Sequence, residues 1–99
     1  MTAAELDVRD APRASRYEAR SGDALAGFSQ YERSDDGEPV FVFTHTEVDP
    51  AFEGQGVGGT LVRGALDDVR RRGARIVAAC PFVRAWVERH PDYQDLVVS

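Results

Sequence analysis

Apolar side chains recur at every second position in three consecutive segments of the chain. The segments are SRYEARS, ALAGFSQYER and PVFVFTHTEV, and the short stretches GD and SDDGE separate them. A period of two is typical of β-strands that bury one face, and Gly and Asp are common in the turns between such strands. The pattern therefore predicts an antiparallel meander of three strands. Regular alternation along the third strand predicts that one face carries four side chains: Phe41, Phe43, His45 and Glu47.

The spacing changes to that of a helix after Pro50, which ends the third strand. One side of an α-helix is then marked by apolar residues at every third or fourth position: Val57, Leu61, Val62, Ala65, Leu66 and Val69. Gly73 can end this helix. RIVAAC predicts a short buried strand, and Pro81 suits the first turn of a second helix, PFVRAWVERH. On that helix Phe82 and Trp86 share a face that we expect to lie in the core.

The predicted fold class is α/β, with a meander followed by strand, helix, strand and helix in a mixed sheet. Residues 1–14 are polar and contain Pro12, so we expect a loosely ordered lead-in with at most a short edge strand around Leu6 to Val8. Residues 15–99 form the single predicted domain, since a chain of 99 residues is large enough for one core.

Composition narrows the classes of function. The net charge of −5 argues against non-specific binding to nucleic acid. No apolar run approaches the roughly 20 residues that span a membrane, and the charged N-terminus is not a secretory signal, so we expect a cytoplasmic protein. One cysteine and two histidines exclude an internal disulfide and a zinc cluster, so no metal is expected. All twelve basic residues are arginine.

Four glycines stand within six positions before the first helix: Gly54, Gly56, Gly58 and Gly59. Small residues let a ligand approach the unpaired N–H groups of a helix's first turn, which favour anions. The glycines could instead make only a tight turn. A nucleotidase loop, G-x-x-x-x-G-K-[ST], would need lysine where Thr60 stands. G-x-G-x-x-G is matched, but a dinucleotide site needs an acidic residue at the end of the next strand, where Cys80 stands.

The segment VDPAFEGQGVGGTLV resembles the coenzyme A loop of the GCN5-related N-acetyltransferases, in which [Q/R]-x-x-G-x-[G/A] opens a helix. Glu53 stands at the Gln or Arg position of that motif. The segments THTEV, CPF and RHPDY further resemble small single-domain members of the family.

The resemblance implies an acetyltransferase fold that binds acetyl-CoA as cosubstrate. It implies that the loop holds the coenzyme A pyrophosphate through six residues: Gln55, Gly56, Val57, Gly58, Gly59 and Thr60. It also implies that the strand ending at Val48 runs alongside the pantetheine arm, and that the acceptor is a small-molecule or protein amine.

Three side chains are candidates for the chemistry of acetyl transfer. The resemblance suggests Cys80, and its position at a helix N-terminus favours a thiolate, although it could be a buried apolar residue. His45 could act as a general base or be a core histidine, because imidazole changes charge near neutral pH. Glu47 could orient His45 or be a solvated carboxylate. Tyr93 in RHPDY more often packs than acts as an acid.

Three functions remain open after the sequence. The first is an N-acetyltransferase that modifies an amine. The second is a coenzyme A binding module with little catalysis, which the short chain and Glu53 favour. The third is a phosphate- or nucleotide-binding domain that is unrelated to acyl chemistry.

Overall fold

A single sheet of five strands organises the protein. The computed structural model describes residues 6–98. Within them the sheet has the order β1 to β5, formed by β1 (Asp7–Ala11), β2 (Arg16–Ser21), β3 (Ala24–Ser34), β4 (Val40–Val48) and β5 (Arg75–Ala78). The strands β1 to β4 pair antiparallel, and β5 pairs parallel to β4. The predicted α/β class with a mixed sheet is confirmed.

Two α-helices follow the meander in the predicted order. Helix α1 (Val57–Arg71) connects β4 to β5, and helix α2 (Pro81–Glu88) follows β5. Short 3-10 turns precede and follow these elements at Pro12–Ala14, Pro50–Phe52 and Pro91–Leu96. Near the C-terminus Val97 forms an isolated β-bridge with Ile76 of β5, so this part of the chain lies alongside the sheet.

The core lies between the sheet and the two helices. Helix α1 buries the whole predicted apolar stripe, together with Gly58 at its start. The face of the sheet that meets α1, the inner face, contributes buried side chains at Tyr17, Ala19, Phe41, Phe43 and Ile76. On the outer face Phe28 and Val42 are only half-buried, and Val77 is exposed. Helix α2 buries Val83, Trp86 and Val87. Phe82 is 41% exposed, so its expected place in the core is wrong.

The segment expected as a lead-in contributes β1, which pairs along its whole length with β2. Its inward residue Val8 packs on α1 at Gly64, where an added Cβ would stand only 2.8 Å from the Val8 Cβ. Close packing of strand on helix therefore depends on a glycine at this point. The beginning of the expected lead-in, residues 1–5, lies outside the described residues.

Strand β4 contains a β-bulge that changes which face its second half presents. Gln30 of β3 pairs with His45, but the next residue, Tyr31, pairs with Phe43, so Thr44 is left without a partner in the ladder. One extra residue reverses the alternation that follows. His45 and Glu47 therefore lie on the outer face, and their expected place beside Phe43 is wrong.

Beyond the bulge, β4 continues past the end of β5. Their pairing ends at Phe43 and Ala78, and the last bond across them joins the Cys80 N–H to the Phe43 oxygen at 2.8 Å. From Thr44 to Val48 the described part of β4 pairs only with β3. The edge of β4 opposite β3 is therefore unpaired over these residues.

Candidate functional site

The glycine loop is shaped by left-handed backbone conformations. Gly54 and Gly56 have φ values of +81° and +74°, which side chains rarely adopt. Gly56 is the N-cap of α1, and no side chain caps the helix. The first helical bond joins the Thr60 N–H to the Gly56 oxygen at 3.1 Å. The preceding amides of the first turn are therefore left without partners inside the helix and suit an anion.

We call the loop and first turn of α1, residues 55–60, the cradle. The exposure of its residues differs along its length. Gln55, Gly56 and Thr60 are exposed, whereas Val57 and Gly58 are buried. A Cβ on Gly56 would meet nothing within 4 Å, so a ligand has room there. A Cβ on Gly58 would stand 2.6 Å from the ring of Phe82. Gly58 is thus required by the close packing of Phe82 on α1, while Gly56 is required by its backbone conformation.

The side chains of the loop add negative charge next to the cradle. Glu53 is exposed and makes no ion pair within the described residues. Asp49 accepts a hydrogen bond from the Ala51 N–H at 2.9 Å and so caps the 3-10 turn Pro50–Phe52. No arginine stands between residues 49 and 62. Within the loop itself, attraction for a pyrophosphate therefore comes from backbone amides and the helix dipole.

The second half of β4 has an edge that no strand pairs with among the described residues. The Asp49 N–H donates to the Ala26 oxygen of β3 at 2.8 Å. Because backbone groups alternate in direction along an antiparallel ladder, those of Val48 and Thr46 point away from β3. They are available to hydrogen-bond an extended ligand that runs along this edge.

Cys80 is the N-cap residue of α2, and its N–H donates to the Phe43 oxygen of β4. It is 4% exposed, and its Sγ donates to the Thr46 Oγ1 at 3.5 Å. That oxygen in turn shares a hydrogen bond of 2.9 Å with the hydroxyl of Ser29, which is buried. Cys80 therefore ends a chain of three polar side chains that starts inside the core.

His45 and Glu47 form a pair on the outer face. The His45 Nε2 lies 2.8 Å from the Glu47 Oε2, and the two side chains are 53% and 60% exposed. A carboxylate only accepts, so Nε2 carries the proton in this contact, and Nδ1 keeps the lone pair of a neutral ring. The Phe28 ring stands 6.2 Å from the imidazole. The pair can receive a proton from a ligand on the solvent side.

The structure does not bring all candidate catalytic groups to one point. Thr46, which contacts Cys80, points to the inner face, whereas its neighbours His45 and Glu47 point to the outer face. The bulged strand thus separates a thiol on one side from an imidazole on the other. Sequence patterns missed the hydroxyls of Thr46 and Ser29. Ser29 alternates with the buried Tyr31, which would have been a signal, whereas Thr46 points inward only because of the bulge.

Tyr93 lies away from this arrangement. Its hydroxyl donates to the Asp67 Oδ1 at 2.8 Å and accepts from Arg63 at 3.2 Å, which ties the turn Pro91–Leu96 to α1. Burial and the neighbouring Asp67 carboxylate raise the pKa of Tyr93 above its ordinary value. These contacts support a packing role.

Residues 6–98 contain no group of three or more His, Cys, Asp or Glu side chains placed to hold a metal ion. No helix in this part of the chain has the length and apolar character needed to cross a membrane.

Comparisons with known proteins relate the chain to acetyltransferases. The profile of the family described as GCN5-related N-acetyl-transferase matches residues 16–96. A GCN5-like candidate N-acetyltransferase from Staphylococcus aureus, solved by NMR, is 23% identical, with a TM-score of 0.63, and the match covers 100% of this chain and 92% of that one.

An aminoglycoside acetyltransferase from an uncultured soil metagenomic sample, solved with sisomicin, has the same fold. It is 13% identical, with a TM-score of 0.57, and the match covers 85% of this chain and 59% of that one. No curated protein sequence matches the chain.

Proposed function

The chain belongs to the family of GCN5-related N-acetyl-transferases, and we propose from this premise that it binds acetyl-CoA and transfers the acetyl group to an amine. The observation that carries the proposal is the uncapped first turn of α1, which follows directly on the unpaired edge of β4 that holds Thr46 beside the Cys80 thiol. A metagenomic protein of the same fold is an aminoglycoside acetyltransferase, which supports acetyl transfer on this fold.

The chain's own residues fit the cosubstrate. The amides from Gln55 to Gly59 would hold the pyrophosphate, and Thr60, whose amide is bonded to the Gly56 oxygen, would offer its exposed hydroxyl. The backbone of Val48 and Thr46 would bond the pantetheine arm along the unpaired edge of β4. The room beside Gly56 supports this fit, because no atom would lie within 4 Å of a Cβ there. When bound, acetyl-CoA supplies a thioester whose carbonyl carbon an amine can attack.

Proton transfer is divided between the two faces of β4. On the outer face the His45 Nδ1 accepts the proton that the amine loses, and Glu47 stabilises the resulting imidazolium. As the new C–N bond forms and the C–S bond breaks, the Cys80 thiol on the inner face gives its proton to the departing sulfur. Thr46, which also bonds Ser29, would hold the Cys80 thiol in position, and Cys80 would recover its proton from solvent after the products leave.

A coenzyme A binding module with little catalysis is the second candidate. It is favoured by the negative charge of Glu53 beside the cradle and by the small exposed fraction of Cys80. Such a protein would bind coenzyme A and act as a regulatory or partner-binding protein.

Calorimetric titration with coenzyme A, ATP and NAD tests the binding step. We expect binding of coenzyme A in preference to the other two, and equal or absent binding would refute both candidates. Loss of thioester absorbance with a panel of amines then separates transfer from binding alone. A lower rate in His45→Gln and in Cys80→Ala, with unchanged affinity for coenzyme A, supports the division of roles.

Mass spectrometry after incubation with acetyl-CoA distinguishes the two roles open to Cys80. A proton donor leaves Cys80 unmodified, whereas an acetyl acceptor gives an adduct that Cys80→Ala abolishes.

A further inference from the structure

The side of α1 next to the cradle carries a positive charge. Arg63 is the first arginine after the glycine loop and lies one helical turn after Gly59. Side chains on a helix lean toward its N-terminus, so Arg63 lies over the turn that contains Gly59 and Thr60. Arg63 is exposed, and among residues 6–98 it makes no ion pair. Its charge is therefore available to an anion bound at the start of α1.

Two buried rings hold the guanidinium group of Arg63 in place. Its Cζ lies 5.4 Å from the ring centre of Trp86 and 5.7 Å from that of Tyr93. Its Nη1 donates to the Tyr93 hydroxyl at 3.2 Å, and that hydroxyl donates in turn to Asp67, a further turn away from the cradle. A guanidinium has five N–H donors, so most of those on Arg63 have no partner in the described part of the chain.

A second donor without a partner points at the same turn. Trp86 is 4% exposed, and its Nε1 donates to no group within the described residues. This nitrogen lies 3.7 Å from the place where a Cβ on Gly59 would stand. It keeps some contact with solvent, because Arg75 Nε is the side-chain nitrogen that is both enclosed and unpartnered in residues 6–98. A ligand on α1 can therefore reach the indole N–H, and a buried donor gains from such an acceptor.

The two donors match a second anionic group of coenzyme A. The ribose of coenzyme A carries the pyrophosphate at its 5′ position and a phosphate monoester at its 3′ position. A phosphate monoester has a charge of about −1.5 to −2 near neutral pH and accepts hydrogen bonds through three oxygens. Arginine binds such a group through paired N–H donors. With the pyrophosphate on the cradle, Arg63 and Trp86 flank the neighbouring part of the ligand.

We propose that the Arg63 guanidinium and the Trp86 Nε1 hold the 3′-phosphate of coenzyme A and so select it over the 3′-dephospho form. The inference rests on the proposed function and names the residues that determine its cosubstrate specificity. Arg63 also supplies the positive charge that the glycine loop itself lacks.

Calorimetry with coenzyme A and with 3′-dephospho-coenzyme A tests this selection. We expect the parent protein to bind coenzyme A about five- to twentyfold more tightly than the dephospho form. Arg63→Gln should reduce this ratio to less than about twofold, because it removes the charge that only the 3′-phosphate meets directly. Arg13→Gln removes the same charge from the exposed turn Pro12–Ala14, three strands away from β4, and should keep the parent ratio.

The fluorescence of Trp86 gives an independent measurement, since it is the single tryptophan of the chain. Coenzyme A should change its emission more than the dephospho form does, because only the 3′-phosphate would accept from Nε1. Trp86→Phe keeps an aromatic ring and removes the N–H, and it should lower the affinity ratio about two- to fourfold. A loss of stability in this variant would leave the ratio unaltered, because the same folded protein binds both ligands.

Equal affinity for the two ligands in the parent, or an unchanged ratio in Arg63→Gln, would overturn the proposal. An equal emission change with both ligands would remove Trp86 from the site. If neither ligand binds, the proposed function fails. Titration with adenosine 3′,5′-bisphosphate and with AMP then still decides the 3′-phosphate site, since a lack of preference for the bisphosphate rules it out.

Discussion

Ser29, Thr46 and Cys80 form a polar chain in a region that is otherwise apolar. Thr46 is the central member, because its hydroxyl lies 2.9 Å from Ser29 and 3.5 Å from the Cys80 sulfur. Ser29 is 1% exposed, so water cannot replace a lost partner. These hydrogen-bonded side chains therefore contribute to the stability of the fold as well as to the position of the thiol.

Thr46→Val should lower the free energy of unfolding by about 1–2 kcal/mol, because it leaves a buried hydroxyl on Ser29 unsatisfied. Ser29→Ala in the Thr46→Val background should then cost less than Ser29→Ala alone. Urea denaturation of the four proteins measures this coupling. Additive losses would show that the two hydroxyls are independent.

Glu53→Gln should tighten coenzyme A binding about two- to fivefold, because it removes a negative charge next to the pyrophosphate cradle. Calorimetry at low ionic strength gives the affinity, and the gain should shrink as salt is added. Asp36→Asn, the same loss of charge in the exposed turn between β3 and β4, serves as the control. An equal gain in both variants would point to net charge instead of the loop.

At the scale of elements, the bulge in β4 decides where the candidate base lies. The bulge moves His45 from the expected inner face to an exposed position, whereas His90 is stacked on Trp86 with ring centres 3.8 Å apart. The His90 Nδ1 is also 2.6 Å from the Trp86 oxygen. The two histidines of the chain therefore differ in access to solvent.

Diethyl pyrocarbonate should modify His45 several times faster than His90, because the reagent needs an accessible ring nitrogen. Peptide mapping by mass spectrometry over a time course measures both rates in one sample. His45→Gln serves as the control that removes the fast site. Faster modification of His90 would contradict the exposed position of His45.

The elements themselves could be predicted from the sequence, since a period of two or of three to four residues follows directly from strand and helix geometry. The bulge could not, because β-branched Thr44 suits a strand equally well in a regular ladder. The exposed position of Phe82 could not be predicted either, because it follows from tertiary packing on Gly58. The glycine loop was visible because its residue types are constrained by backbone conformation.

At the scale of the whole molecule, buried hydroxyls and carboxylates join the meander to α1. Tyr17 donates to Asp68 and Tyr31 donates to Asp10, both at 2.6 Å, and Arg72 contacts both carboxylates. Burial raises the pKa of Tyr17 and of Tyr31, and their hydrogen bonds to the carboxylates raise it further. These contacts tie β1, β2 and β3 to the second half of the helix.

Asp68→Asn should flatten the acid side of the stability profile. Burial raises the pKa of Asp68, but the Tyr17 hydrogen bond and the charges of Arg72 and Arg71 outweigh it, so the pKa is lowered overall. The stabilisation is therefore complete above the unfolded-state pKa of about 4 and is lost as the pH falls through the lower folded value.

Urea denaturation between pH 2 and pH 7 measures this effect. The variant should lose about 1–3 kcal/mol at pH 7 and a smaller amount near pH 2. Asp36→Asn, an exposed carboxylate without an ion pair in the described residues, should follow the parent profile. A constant difference between Asp68→Asn and the parent at every pH would contradict the linkage.

Both helices pack beside the inner face, and the outer face at Phe28, His45 and Glu47 stays open. In many enzymes the opening of a lid sets the pace of turnover. In the proposed transfer an arriving amine and a departing amide would meet no such barrier on this face among the described residues, so release of the amide should not limit turnover. The same openness would admit water as a competitor for the acetyl group, and slow hydrolysis of the thioester should accompany the proposed transfer.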